Sequence, residues 1–187
     1  MLRMTEYAAP RLAHTAHLDP AELAAVRALL DAAFDGDFAE EDWDHALGGM
    51  HALITDPRDG TVLAHGSLVP RRVLHRGHSL RIGYVEAVAV REDTRRQGLA
   101  GRIMAALEEL VDRAYVLGAL SASDAGAALY AGRGWRVWPG GLAALGPTGV
   151  VPLPEEEGTT YVRPALGRTL PDPDATLFFD WRDGDVL

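Results

Sequence analysis

The stretch Tyr84-Val85-Glu86-Ala87-Val88-Ala89-Val90, then Arg91-Glu92-Asp93-Thr94, then Arg95-Arg96-Gln97-Gly98-Leu99-Ala100, decides the fold. It reads as the end of a half-buried strand, a tight loop rich in Arg and Gly, and the start of a long amphipathic helix. That helix is predicted from about Gly98 to Leu117, with Ile103, Leu107, Leu110, Val111 and Ala114 on one face. The first amides of a helix have no partner within it and sit at the positive end of its dipole. They form a site for an anion, and Gly98 and Ala100 let a phosphate come close to the backbone.

Working outward, Arg11 to Thr15 reads as a short first strand. Asp19 caps a helix, with Pro20 at its first position and Glu22 completing a capping box. A short second helix covers Glu40 to Leu47 and stops at Gly48-Gly49. Three antiparallel strands follow: Met50 to Thr55, Thr61 to His75 with a bend at Pro70, and Ser79 to Val90. Turns at Asp56 to Gly60 and Arg76-Gly77-His78 separate them. After the long helix come a strand at Ala119 to Ala122, a helix at Ala125 to Gly132, and strands at Trp135 to Trp138 and Thr159 to Arg163. A Gly- and Pro-rich loop joins the last two strands, and Leu166 to Leu187 reads as an irregular tail. The class is α+β: a mixed central sheet of about seven strands flanked by about four helices. The long helix is the crossover that makes the fourth and fifth strands a parallel pair.

Composition bounds the function. At 187 residues, with 48% hydrophobic and 24% charged residues, the chain suits one domain with a full core. No apolar run is long enough for a bilayer, and Met1 to His17 has no apolar signal-peptide core. Without cysteine there is no disulfide, thiolate metal site or thiol nucleophile, and a cytoplasmic location is the default expectation. The seven histidines show no ligand-type spacing, so no metal is expected. A net charge of −9 argues against a nucleic-acid partner and suits either solubility or a cationic substrate.

The pattern Arg95-x-x-Gly98-x-Ala100 after Val88-Ala89-Val90 resembles the pyrophosphate loop of the GCN5-related N-acetyltransferases (GNAT). The resemblance implies the GNAT fold, with acetyl-CoA held by Val88, Ala89 and Val90 and by the loop Arg95, Arg96, Gln97, Gly98, Leu99 and Ala100. The run Ala125 to Gly134 resembles the family's later motif, in which Tyr130 becomes the general acid facing the cofactor sulfur.

Longer strings are similar to the aminoglycoside 2′-N-acetyltransferases of mycobacteria and their relatives. They include Asp35-Gly36-Asp37-Phe38, Leu47 to Ile54, Gly83 to Glu86, Leu117 to Ser121 and Leu129 to Trp135, with Glu155-Glu156-Glu157 and Asp180 to Val186. This covers nearly the whole chain and implies one acetyltransferase domain over 1–187, with a core of about 11–163 and a tail, 164–187, completing the acceptor site. It singles out Asp37, Asp42, Glu86, Ala87, Ser121, Glu155, Glu156 and Asp185 as acceptor contacts, with the terminal carboxylate of Leu187. Which of Glu155, Glu156 and Glu157 reaches the substrate stays open. The implied homodimer has no independent support in the sequence.

Carboxylates suit a polycationic acceptor, since they pair with several ammonium groups. With no Cys, and with Ser121 and Ser123 lacking His-Asp partners, the amine is expected to attack the thioester directly. Glu86 is either the base for that amine or only its ammonium ligand. Two further readings are a housekeeping acetyltransferase for a cell-wall amino sugar or polyamine, and a non-catalytic acetyl-CoA-binding module.

Overall fold

The structure, a computed structural model, describes residues 7–187. The reading of the first residues as lacking a signal segment lies partly outside the described residues. Two compact units divide the chain, and β3 and β4 each run through both.

The first unit holds 7–68 and Glu86–Leu107. Strand β1 (Arg11–His14) pairs antiparallel with β2 (Met50–Thr55), and β2 pairs antiparallel with the first half of β3 (Val62–His75). Helix α1 (Pro20–Ala33) opens on the anticipated capping box: Asp19 Oδ1 accepts from Glu22 N at 2.9 Å, and Glu22 Oε2 accepts from Asp19 N at 3.0 Å. Its buried Val26, Leu29 and Leu30 pack with Leu53, Val62, Phe38 and Ala89. Helix α2 (Glu40–Ala46) follows a left-handed turn at Asp35 and Gly36. The end of β4 (His78–Val90) and the first turns of α3 (Leu99–Ala114) complete this unit. Gly66 on β3 is there for contact, because a Cβ on it would stand 2.7 Å from Ile103 of α3.

The second unit holds Val69–Val85 and Glu108–Leu187. Its strand order is β6-β9-β5-β4-β3-β10-β7-β8, with β5 (Leu117–Ser121), β6 (Arg136–Val137), β7 (Leu142–Gly146), β8 (Gly149–Pro152), β9 (Thr160–Pro164) and β10 (Leu177–Asp180). Helix α4 (Asp124–Gly132) follows β5. The anticipated parallel pair is β4 with β5, at Ile82 with Leu117, Gly83 with Gly118 and Tyr84 with Ala119. The core gathers Ile82, Tyr84, Leu117, Trp138, Leu177 and Phe179.

Among the described residues ten strands form where about seven were expected. The stretch read as a Gly- and Pro-rich loop contains the β7–β8 hairpin, and the tail read as irregular contains β10. Strand β10 lies between β7 and β3, so its alternate residues Leu177 and Phe179 are both fully buried. Leu142-Ala143-Ala144 of β7 is buried without polar alternation and so carries no period-2 signal. The long helix stops at Ala114 rather than Leu117. Val116 N donates to Arg81 O at 3.0 Å, and Leu117 enters the ladders with β4 and β9, so sheet pairing overrides helical propensity there.

Candidate active site

Strand β4 runs on past its ladder with β5, and the residues expected to meet the donor follow there. Ala87 has φ 51, a left-handed conformation inside a strand and the mark of a bulge. For a residue with a Cβ this costs roughly 1–2 kcal/mol, so its surroundings must enforce it. Glu86, Ala87, Val88 and Val90 are half-buried around it, while Ala89 points into the core.

Beyond Val90 a short 3₁₀ turn, Glu92–Thr94, leads into the Arg-rich loop. Thr94 is buried and its hydroxyl donates to Arg91 O at 3.0 Å, tying the turn. Arg96 (φ 61) and Gly98 (φ 79) are both left-handed. Left-handed residues near a helix start fold successive amides into an anion-holding concavity. Arg95, Arg96, Gln97 and Gly98 are exposed, Leu99 is buried, and a Cβ on Gly98 would meet nothing within 4 Å. Space, amides and two guanidinium groups therefore coincide, as a pyrophosphate requires. A cavity of about 560 Å³ adjoins the loop, lined by Leu29 and Ala33 of α1 with Val90, Arg91 and Arg95.

Of the expected acceptor carboxylates in this unit, Asp37 is exposed on the loop between α1 and α2. Asp42 has a structural partner: its Oδ2 accepts from Ala39 N at 2.8 Å and so caps α2.

In the second unit Tyr130 is 8% exposed on α4, and its ring packs near Trp135 and Tyr161. Gly126, one turn earlier, leaves room for that ring, since a Cβ there would stand 2.9 Å from it. Burial pushes the Tyr130 phenol up to about 12, so it stays protonated at neutral pH. The C-terminal end of α4 is clamped by buried Glu108 of α3. Its carboxylate accepts from Arg133 at 2.8 and 2.6 Å and from Trp135 Nε1 at 2.9 Å.

Ser121 and Glu156 come together. The Ser121 hydroxyl donates to Glu156 Oε2 at 3.0 Å, and the Thr159 hydroxyl approaches the same oxygen at 3.3 Å. Glu155 and Glu157 are exposed, so Glu156 is the member of the triplet with a fixed side chain. Asp185 is exposed and Leu187 half-buried in the tail.

A model of the acetyltransferase (GNAT) domain matches residues 14–138. The aminoglycoside 2′-N-acetyltransferase of Mycolicibacterium fortuitum is 49% identical over 179 residues, which cover 94% of this chain and 90% of that protein. This chain belongs to the aminoglycoside 2′-N-acetyltransferase family of the GNAT acetyltransferases. Solved GNAT structures share its fold. YhbS from Escherichia coli, in complex with CoA, has a TM-score of 0.63 at 19% identity, with 96% of this chain and 93% of that one covered. A GNAT acetyltransferase from Brucella melitensis, in complex with acetyl-CoA, has a TM-score of 0.58 at 16% identity, covering 89% and 94%.

Two arrangements in this family member escaped the sequence reading. Arg71, 4% exposed on β3, donates to Asp180 Oδ1 and Asp180 O, both at 2.8 Å, and to Val186 O at 2.7 Å. Its guanidinium lies 4.8 Å from the Tyr84 ring centre, and Arg182 adds a bond to Val186 O at 2.9 Å. Arg71 therefore holds the tail that carries Asp185. An Arg pair, Arg71-Arg72, inside the otherwise apolar run Leu68 to Val73 was its sequence signal. The other arrangement joins His51 and His65, whose rings are within hydrogen-bonding distance. They lie on the adjacent strands β2 and β3.

Proposed function

We propose that this chain transfers the acetyl group of acetyl-CoA to the 2′-amine of an aminoglycoside, and that this confers resistance to such antibiotics. The observation that carries the reading is 49% identity over 94% of the chain to a protein named for that activity. An alignment of that extent takes in Asp37 to Glu156, the cofactor loop included.

Acetyl-CoA, when bound, supplies an acetyl thioester. The backbone of Val88, Ala89 and Val90 would hold its pantetheine arm, and the amides and guanidinium groups of Arg95 to Ala100 would hold the pyrophosphate. Val88 N–H is the donor for the thioester carbonyl. Asp37, Asp42, Glu156 and Asp185 bind the acceptor's ammonium groups, with Ser121 fixing Glu156 and Ala87 at the acceptor end of β4. Glu86 takes the proton of the attacking amine through a water. Tyr130 gives its proton to the departing sulfur. Thiols ionise near about 8.5 in water, but the surroundings that raise the phenol raise a buried thiol too, so the gap between them governs the transfer.

Tests of this reading start from CoA release with acetyl-CoA and paired acceptors. Turnover with a 2′-amino aminoglycoside and none with its 2′-hydroxyl counterpart is the expected result. Turnover on polyamines or cell-wall amino sugars alone would favour a housekeeping role, and CoA binding without turnover on any amine would leave only a binding module. A cytoplasmic homodimer belongs to the same reading, and light scattering with cell fractionation tests it.

A further inference from the structure

Thr15, His51 and His65 form a continuous chain of hydrogen bonds that ends on the Ala87 carbonyl. Thr15 Oγ1 is 2.7 Å from His51 Nε2, His51 Nδ1 is 2.9 Å from His65 Nε2, and His65 Nδ1 is 2.8 Å from Ala87 O. Both imidazoles are 0% exposed. None of the chemistry above uses them.

Valence fixes where the protons lie. A carbonyl only accepts, so His65 Nδ1 carries the hydrogen. Burial keeps both rings neutral. It lowers His65 to about 3, against an opposing bond to Ala87, and lowers His51 to about 4, with nearby His14 adding to the effect. A neutral ring protonated at Nδ1 has a lone pair at Nε2, so His51 Nδ1 donates to His65. His51 Nε2 then accepts the Thr15 hydroxyl hydrogen, and Gly48 N donates to Thr15 Oγ1 at 2.9 Å. The bonds all run one way. Protonating both rings would set the His51 Nδ1–H against the His65 Nε2–H.

The chain ends at the strained residue of β4, for the carbonyl it grips belongs to the left-handed Ala87. Strain of this kind persists only where the surroundings over-determine it. Ala87 lies between Glu86 and Val88, and its carbonyl direction sets the peptide plane that carries the Val88 N–H.

We propose that the Thr15–His51–His65 chain is a positioning device for acetyl transfer, gripping the Ala87 carbonyl so that β4 presents the Glu86 side chain and the Val88 N–H correctly. The proposal rests on reading β4 as the strand that meets the thioester. His51, His65 and Thr15 touch neither donor nor acceptor; they act through Ala87.

Side-chain nitrogen NMR of the wild-type chain makes the first test and needs no variant. Both His51 and His65 are expected as neutral Nδ1–H tautomers, and an Nε2–H tautomer at either would overturn the proposal. A second test uses amides of matched reach. In His65→Asn the amide N–H stands near the position of Nδ1, and in His65→Gln near that of Nε2. His65→Gln is expected to lower kcat by about tenfold while KM for acetyl-CoA moves less than about threefold, and His65→Asn to restore kcat to within about threefold of wild type. Equal kcat in two folded variants would overturn the proposal. Should His65→Gln fail to fold, Thr15→Val against Thr15→Ser makes the comparison from the other end. There the valine variant is expected to lose about threefold in kcat and the serine variant nothing, and equal values would again overturn it. CoA added to wild type separates the two levels. Unmoved amide signals at Val88 to Val90 would overturn the cofactor-strand reading and this proposal together. Shifted signals with equal kcat in the variants would overturn this proposal alone.

Discussion

Tyr130 owes its position to its neighbours: Gly126 leaves space for the ring, and Glu108 clamps Arg133 and Trp135 just beyond the helix end. Replacing it with Phe keeps the packing and removes one hydroxyl. Tyr130→Phe is expected to lower kcat by about tenfold or more at unchanged Tm, in steady-state assays where chemistry limits the rate. Unchanged turnover would remove Tyr130 as the acid. Ser121→Ala frees the Glu156 carboxylate from its 3.0 Å hydrogen bond. A hydrogen bond to a charged group contributes about 1.5–3 kcal/mol, and since only part of that concerns the acceptor, KM for the acceptor should rise about three- to tenfold with KM for acetyl-CoA unmoved. Tyr130, Ser121 and the triplet Glu155 to Glu157 were each singled out in the sequence by resemblance. Their mutual arrangement was not, because the Ser121–Glu156 bond spans 35 residues. His51 and His65 stayed hidden for another reason. A histidine on a strand looks the same whether it faces solvent or another histidine, and only the β2–β3 register sets the two rings side by side.

Elements with strong local signals appeared close to where the sequence placed them. The Asp19-Pro20-x-Glu22 start of α1 is one, since capping is settled within a single turn. The loop from Arg95 to Ala100 is another, because Gly98 takes the φ of 79 that favours glycine. Gly98→Val should strain that backbone and put a branched side chain where the phosphate would lie. An increase of about tenfold or more in KM for acetyl-CoA is expected, with the melting temperature falling by about 2–8 °C, as read by kinetics and calorimetry. An unchanged KM would move the cofactor away from this loop. Elements defined by partners distant in the chain were illegible. Strand β10 exists because β3 and β7 flank it, and α3 ends early because Leu117 is drawn into two ladders. Local propensity carries no record of such partners.

At the scale of the whole molecule, burying two neutral histidines makes stability depend on pH. Both have folded values below the ordinary 6.5, at about 4 for His51 and about 3 for His65. The unfolded chain therefore takes up protons first as pH falls. Their contribution is fully present above about 6.5 and is lost progressively from there toward about 4 for His51 and about 3 for His65. Asp56, held down to about 2 chiefly by its hydrogen bond from Arg58, gives up its share only below about 4. Urea unfolding should thus show a loss on the order of 2 kcal/mol for each ring between pH 7 and pH 4.5. A His51→Gln, His65→Gln double variant should lose clearly less over that range. An equal loss in both proteins would show that the pair is not buried and neutral. The central claim joins a donor strand in one part of the sequence to acceptor carboxylates in others, and the position of the transferred acetyl group tests it most directly. Two-dimensional NMR of the product made from acetyl-CoA and a 2′-amino aminoglycoside identifies that position. A single amide at the 2′-nitrogen is expected; an acetyl group on another amine or on a hydroxyl would contradict transfer to the 2′-amine.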